Sequence, residues 1–308
     1  MSKIIVGVDG PDRSDDALAL AARLARRTAA EIVLARAYPY DDAAIHLGDS
    51  SRRHHLREEA QRILDRLQER AGTALRITTR TIADPSPARA LHTLAEIEGA
   101  SLLVIGSSHR GAVGRVFAGT TGERLLHGSP CPVAVAPRGM HHGGSIARIA
   151  VGWDRSAEAT AALSGATAIA RAVGAELRVV EVLDIQWAGT PAIIPGSGPA
   201  LAAHQPAARA RARLDDAVSG LPDGVRVETA VVLGDPVGEL VKQSEDADLL
   251  VLGSRGYGPL RAVLLGGVSG RVMRKSACPV IIVPRGVERP LDDLFEPASL
   301  MEATPHMA

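Results

Sequence analysis

Short aliphatic runs alternate along this chain with longer stretches in which apolar residues recur every three or four positions. Residues 4–8, 31–38, 75–82, 102–105 and 133–136 are rich in Val, Ile, Leu and Ala over strand length, and each is predicted as a strand. Between them, helical spacing runs through 14–28 (Ala17, Leu20, Ala21, Leu24), with Ser14 as the candidate N-cap. It runs again through 53–71 (Leu56, Ala60, Ile63, Leu64, Leu67), and further helices are predicted at 87–98 and 119–127. The same order returns with strands near 149–153, 176–182, 225–232, 249–252 and 280–283. Strands apolar on both faces and joined by helical crossovers predict an α/β fold, a doubly wound, mostly parallel five-stranded sheet with helices on both faces.

The return of the pattern is a repeat of the sequence itself. Ile4-Ile5-Val6-Gly7-Val8-Asp9 recurs as Ile149-Ala150-Val151-Gly152-Trp153-Asp154, offset by 145. Residues 102–139 recur as 249–286, offset by 147, with 16 of 38 positions identical. A period that long is not a solenoid; it is one domain present twice in tandem. The expected division is a first domain at 1–139, a linker at 140–146, a second domain at 147–286 and a loosely ordered tail at 287–308. Within the second copy, the Pro-, Gly- and Ala-rich stretch 188–206 reads as an irregular loop.

Composition narrows the function classes. Lys plus Arg equals Asp plus Glu at 35 each, so no global charge attracts nucleic acid or a membrane. Aromatic residues are 2% of the chain, too few for base-stacking platforms. No apolar run approaches transmembrane length and no signal-peptide anatomy precedes the first strand, so a cytoplasmic location is expected. The two cysteines, Cys131 and Cys278, stand at equivalent positions of the copies and read as buried structural thiols. The adjacent pairs His54-His55 and His141-His142 read as surface histidines rather than metal ligands.

The chemistry lies in glycines that follow the fourth strand of each copy. In the second copy, Gly253 and Gly256 are followed by Gly266-Gly267-Val268-Ser269 at the start of a helix. Glycines let backbone N–H groups approach an anion, and a helix N-terminus adds unpaired N–H groups and a positive dipole end. Doubly wound sheets bind ligands beyond the carboxyl ends of their strands, at the switch point, which selects the loops after strands one and four. Each copy also places an Asp after strand one. No Gly-Lys-Ser/Thr occurs and no dinucleotide fingerprint is complete, so neither competing phosphate-binding motif is present.

These motifs, with the early Val-Gly-x-Asp and the closing Cys-Pro-Val strand, resemble the universal stress protein family, in its tandem actinobacterial form, over nearly the whole chain. Nucleotide-binding members carry Gly-x2-Gly-x9-Gly-Ser/Thr. Gly253, Gly256 and Gly266 fit that spacing, with Gly267 where Ser or Thr is usual. In the first copy Gly106, Gly119 and Thr120 fit, with His109 where the second Gly is usual. The departures alone favour copy two as the binder. The resemblance implies an ATP-binding stress-response protein, with or without Mg2+. Asp9 and Asp154 would contact ribose, the backbone near Ala37 and Val182 would hold adenine, and the glycine loops, with Ser269 in copy two, would wrap the phosphates. It further implies that the last strands, 133–136 and 280–283, pair the copies as an internal pseudo-dimer; a further homodimer is left open, and protein partners are not specified. No positioned general base, nucleophile or metal cluster recurs in both copies, so no enzyme is expected, slow ATP hydrolysis aside. The alternatives are a nucleotide-free interaction scaffold and, behind it, an adenylating enzyme of the same superfold.

Overall fold

A computed structural model describes residues 2–40, 50–108, 116, 119–126, 128–142, 144–184, 199–254, 267–287 and 290–295. The first copy runs β1 (Lys3–Gly7), α1 (Pro11–Ala25), β2 (Glu31–Tyr38), α2 (Ser50–Ala71), β3 (Ile77–Ala83), α3 (Pro87–Glu98), β4 (Leu102–Gly106), α4 (Gly119–Leu126) and β5 (Val133–Ala136). The second runs β6 (Arg148–Gly152), α5 (Ala157–Val173), β7 (Glu176–Leu183), α6 (Pro199–Ser219), β8 (Val227–Leu233), α7 (Pro236–Asp246), β9 (Leu249–Ser254), α8 (Val268–Met273) and β10 (Val280–Pro284).

All strands belong to one ten-stranded sheet of order β3-β2-β1-β4-β5-β10-β9-β6-β7-β8. Within each copy neighbouring strands are parallel. At the centre β5 and β10 are antiparallel, with Ala134 opposite Ile281 and Val135 opposite Val280. The last strand of either copy would otherwise be an exposed apolar edge, and the two cover one another.

Side-chain alternation sends Ala134, Ala136, Ile281 and Val283 into the core under α1, α2, α5 and α6. Val133, Val135, Val280 and Ile282 enter the opposite core, under α3, α4, α7 and α8. Each core therefore runs unbroken through both copies. Fully burying one such side chain stabilises by about 1.5–3 kcal/mol, so the junction is a principal element of the fold. Two polar contacts flank it: the Val116 N–H donates to the Ser276 carbonyl at 3.0 Å, and Arg274 meets Glu123 at 3.4 Å.

Several local readings change. Helix α1 begins at Pro11 with Gly10 as its N-cap, because proline is favoured in a first turn; Ser14 lies inside the helix. Residues 199–219 are helical, Pro206 included, where part of an irregular loop was expected. The segment after β5 is tied to α1. Buried Asp16 on α1 accepts the N–H groups of Gly139 and His141, both at 2.9 Å, and His141 Nδ1 at 2.6 Å. The Met140 carbonyl accepts from Arg23 at 2.9 Å. In the tail, Leu291–Leu294 forms a 3-10 turn whose Leu291 and Leu294 are buried against the α5 side of the core. The Asp293 carbonyl also accepts from the Ser2 hydroxyl at 3.0 Å, so this turn joins the two copies.

Candidate functional site

In copy one a cavity of about 190 Å³ opens at the carboxyl ends of β1, β2 and β4. Strand order reverses between β1 and β4, the place where such sheets take ligands. Asp9, Ala37, Gly106, Gly119 and Thr120 all line it. Arg13 and Arg36 line it as well, and sequence reasoning had not selected them.

Local chemistry explains how each group arrives there. The Val8 N–H still donates to the Ala35 carbonyl at 2.8 Å, so the chain leaves the sheet at Asp9. Ser14, buried in the first turn of α1, accepts the N–H groups of Asp9 (3.2 Å) and Gly10 (3.4 Å) and fixes the turn. The Asp9 carboxylate meets Arg13 Nη1 at 2.8 Å, one helical turn away. Arg13 Nε is buried and makes no hydrogen bond among the described residues. On β2, Arg36 Nη1 donates to the Val8 carbonyl at 3.2 Å, which lays its guanidinium across the end of β1.

The glycines divide into two kinds. A Cβ on Gly106 would run into the backbone of Arg13, and a Cβ on Gly253 would run into the backbone of Glu158 and Ala159. The first glycine of each motif is thus set by strand-to-helix packing as much as by any ligand. Gly119, at the start of α4, has φ +63, the left-handed region where a Cβ is unfavourable, and it faces Ser108. Thr120 follows it with an exposed side chain.

The other wall is α3, whose Pro87 and Leu91 line the cavity. Asp84 sets its start by accepting the Ser86 N–H at 2.7 Å and two bonds from Arg89 at 2.8 Å. The Arg89 hydrogen bonds hold the Asp84 carboxyl below the ordinary carboxylate value.

In copy two the loop after β6 is organised differently. Asp154 accepts the Ser156 N–H at 3.1 Å and the Ser156 hydroxyl, and Ser156 caps α5 by accepting the Ala159 N–H at 3.1 Å. Val182 is half-buried on β7. The Ser269 hydroxyl donates to the Gly253 carbonyl at 3.1 Å, and Gly267 is the N-cap of α8. His109, Gly256 and Gly266 lie outside the described residues.

The packing of Gly106 on Arg13 and of Gly253 on Glu158 makes Arg13 and Glu158 equivalent. The Val8–Ala35 and Trp153–Val180 hydrogen bonds likewise make Arg36 and Glu181 equivalent. Glu181 is buried and meets Arg213 at 3.3 Å and Arg155 at 3.8 Å. Arg155 adopts φ +70, the sole non-glycine positive φ among the described residues, where copy one has Gly10. Glu158 faces Arg285 at 3.6 Å. Both inversions were readable from the repeat offset of 145, had the charged positions been compared as the apolar ones were.

Cys131 and Cys278 are buried, and burial pushes both thiols up to about 12, so neither is poised as a nucleophile. Among the described residues no group of His, Cys, Asp and Glu could hold a metal ion, and no helix is long and apolar enough to cross a membrane.

Comparison with known proteins agrees with the duplicated architecture. A universal stress protein of Mycolicibacterium smegmatis is 32% identical over 295 residues, covering 91% of this chain and 96% of its own. A universal stress protein of Mycobacterium tuberculosis is 27% identical over 293 residues, covering 91% and 99%. The crystal structure of a universal stress protein from Archaeoglobus fulgidus superposes with a TM-score of 0.68 at 22% identity, covering 92% of this chain and 98% of that one. The model of the universal stress protein family matches twice, at residues 1–137 and 145–284. With two such matches filling nearly the whole chain, and the same α/β unit built twice into one sheet, the chain belongs to the universal stress protein family as a tandem member.

Proposed function

We propose that this protein binds an adenine nucleotide, ATP first among them, and acts in the stress response through its bound and free states rather than by turnover. The observation that carries this reading is the copy-one cavity. It gathers a carboxylate suited to ribose hydroxyls (Asp9), a strand-end backbone suited to an adenine edge (Ala37), and a glycine turn entering a helix (Gly119, Thr120), with two arginines beside them. A helix N-terminus and guanidinium groups are standard partners for phosphate oxygens. Any Mg2+ would arrive on the nucleotide's own phosphates.

The test is calorimetric titration of the full chain with ATP, alongside mass spectrometry of small molecules released on denaturation. Saturable ATP binding that Asp9→Ala weakens about tenfold, the size of one lost charged hydrogen bond, with an unchanged melting curve, is the expected result. No binding at millimolar ATP and no released adenine nucleotide overturns the reading.

A further inference from the structure

The two copies pack strand against helix at the same points beside the switch point and reverse the charges placed there. In copy one Arg13 leaves α1 at the point where Gly106 touches the helix, and Arg36 lies across the end of β1. Both line the cavity, with Asp9 the one carboxylate among its described lining residues and paired with Arg13. At the equivalent points copy two has Glu158 against Gly253 and Glu181 on β7. We infer that copy one alone takes the phosphate-bearing ligand, selected by Arg13 and Arg36, and that Glu158 and Glu181 exclude such ligands from copy two.

Among the described residues, the arginines beside Glu158 and Glu181 are already engaged. Arg155 and Arg213 both face buried Glu181, and Arg285 faces Glu158. The second oxygen of Glu181, Oε2, is buried and has no hydrogen-bond partner among the described residues. Drawing either arginine away to a phosphate would leave that buried carboxylate less compensated, a strongly unfavourable change. Asp154 is likewise turned onto Ser156, within its own loop. In copy one Arg13 and Arg36 line a cavity, and Arg13 Nε makes no hydrogen bond among the described residues. Among the described residues, a polyanion approaching the carboxyl end of the sheet therefore meets two guanidinium groups against one carboxylate in copy one and the ion-paired Glu158 and Glu181 in copy two. This reverses the preference for copy two that the glycine spacing alone gives.

The inference rests on the nucleotide reading for the identity of the ligand, but not for its phosphate chemistry. The test is hydrogen–deuterium exchange of the full chain with ATP and, separately, with inorganic tripolyphosphate. Protection is expected in 7–14, 105–108 and 119–122, with none in 152–159, 252–254 and 267–270. Protection of both copies, or of copy two alone, overturns the inference. If tripolyphosphate protects copy one while ATP protects neither copy, the nucleotide reading falls and the inference stands. If neither probe protects either copy, both fall. Variants sharpen the assignment. Arg13→Glu and Arg36→Glu, with Arg13→Gln and Arg36→Gln in case the reversed charge disturbs folding, should each weaken ATP binding about ten- to a hundredfold and adenosine binding far less. Unchanged ATP affinity in folded variants at both positions, or equal losses for ATP and adenosine, would show that the arginines do not read phosphate.

Discussion

Gly106 and Gly253 press their strands against the first turn of a helix in the same way, yet the residue touched is Arg13 in one copy and Glu158 in the other. The backbone frame tolerates little: a Cβ at either glycine meets main chain, which cannot swing aside as a side-chain tip can. The charges standing on that frame are free to differ, because they project from it toward the cavity or toward local partners. The difference teaches that duplicated packing does not carry duplicated charge with it, and that Gly106 and Gly253 report on the packing.

The largest effect should come from the frame. Gly106→Val and Gly253→Val should each destabilise by about 3 kcal/mol, because overpacking a strand–helix contact forces backbone to move. Urea denaturation measures this, and similar losses in both variants would confirm that the copies share one architectural constraint. A large loss at Gly106 with none at Gly253 would break the comparison at its base.

A smaller effect separates the copies by pH. Asp84 clamps the start of α3 in copy one, whereas the matching hydrogen bonds of Asp84 to Tyr38 and of Gly234 to Leu183 put Gly234 at the equivalent position in copy two, where the next residue, Asp235, caps α7 instead. Because its folded pKa lies below the ordinary carboxylate value, the clamp contributes fully above that value. The contribution is lost as pH falls past the ordinary value and through the lowered one. Asp84→Asn should cost about 0.5–1 kcal/mol at neutral pH and nothing further in strong acid. Exchange rates should rise in α3 rather than in α7. A loss of equal size at pH 2 and pH 7 would show that the carboxylate charge is not what holds the turn.

The smallest signal is optical. Trp153 precedes Asp154 and is buried in the core beside α5. In a Trp187→Phe background, saturating ATP should leave Trp153 fluorescence unchanged, since the ligand is assigned to the other copy. A saturable change that Asp154→Ala removes would place nucleotide in copy two.

The strands of each copy and their duplication were legible because aliphatic runs and their repeat offset are dense signals, and the pairing of the last strands was an implication of the family resemblance. The boundaries of α3 were legible too, since Pro87 and Gly99 mark them plainly. Ser14 misled because a hydroxyl near a helix start has two uses; here it reaches back to the loop, and proline sets the first turn. The helix at 199–219 was obscured by its small residues and Pro206. Leu291 and Leu294 were obscured by the acidic residues around them, although two leucines three apart suffice to seat one turn on α5. At the site, Asp9, Ala37, Gly119 and Thr120 followed from pattern and resemblance. Arg13 and Arg36 did not, because the offset of 145 shows only that glutamates replace them in copy two, and a fold is needed to show what they face.

The antiparallel pairing of β5 with β10 has a consequence for how this protein can change over generations. In a dimer of identical chains every substitution appears on both sides of the axis, so a mutation that spoils one pocket spoils two. Here the equivalent halves are encoded separately, while the short covalent link keeps their last strands at an effective concentration of order millimolar. A glutamate can therefore replace an arginine in one half without touching the other. The shared strand pair allows the halves to specialise while neither can leave.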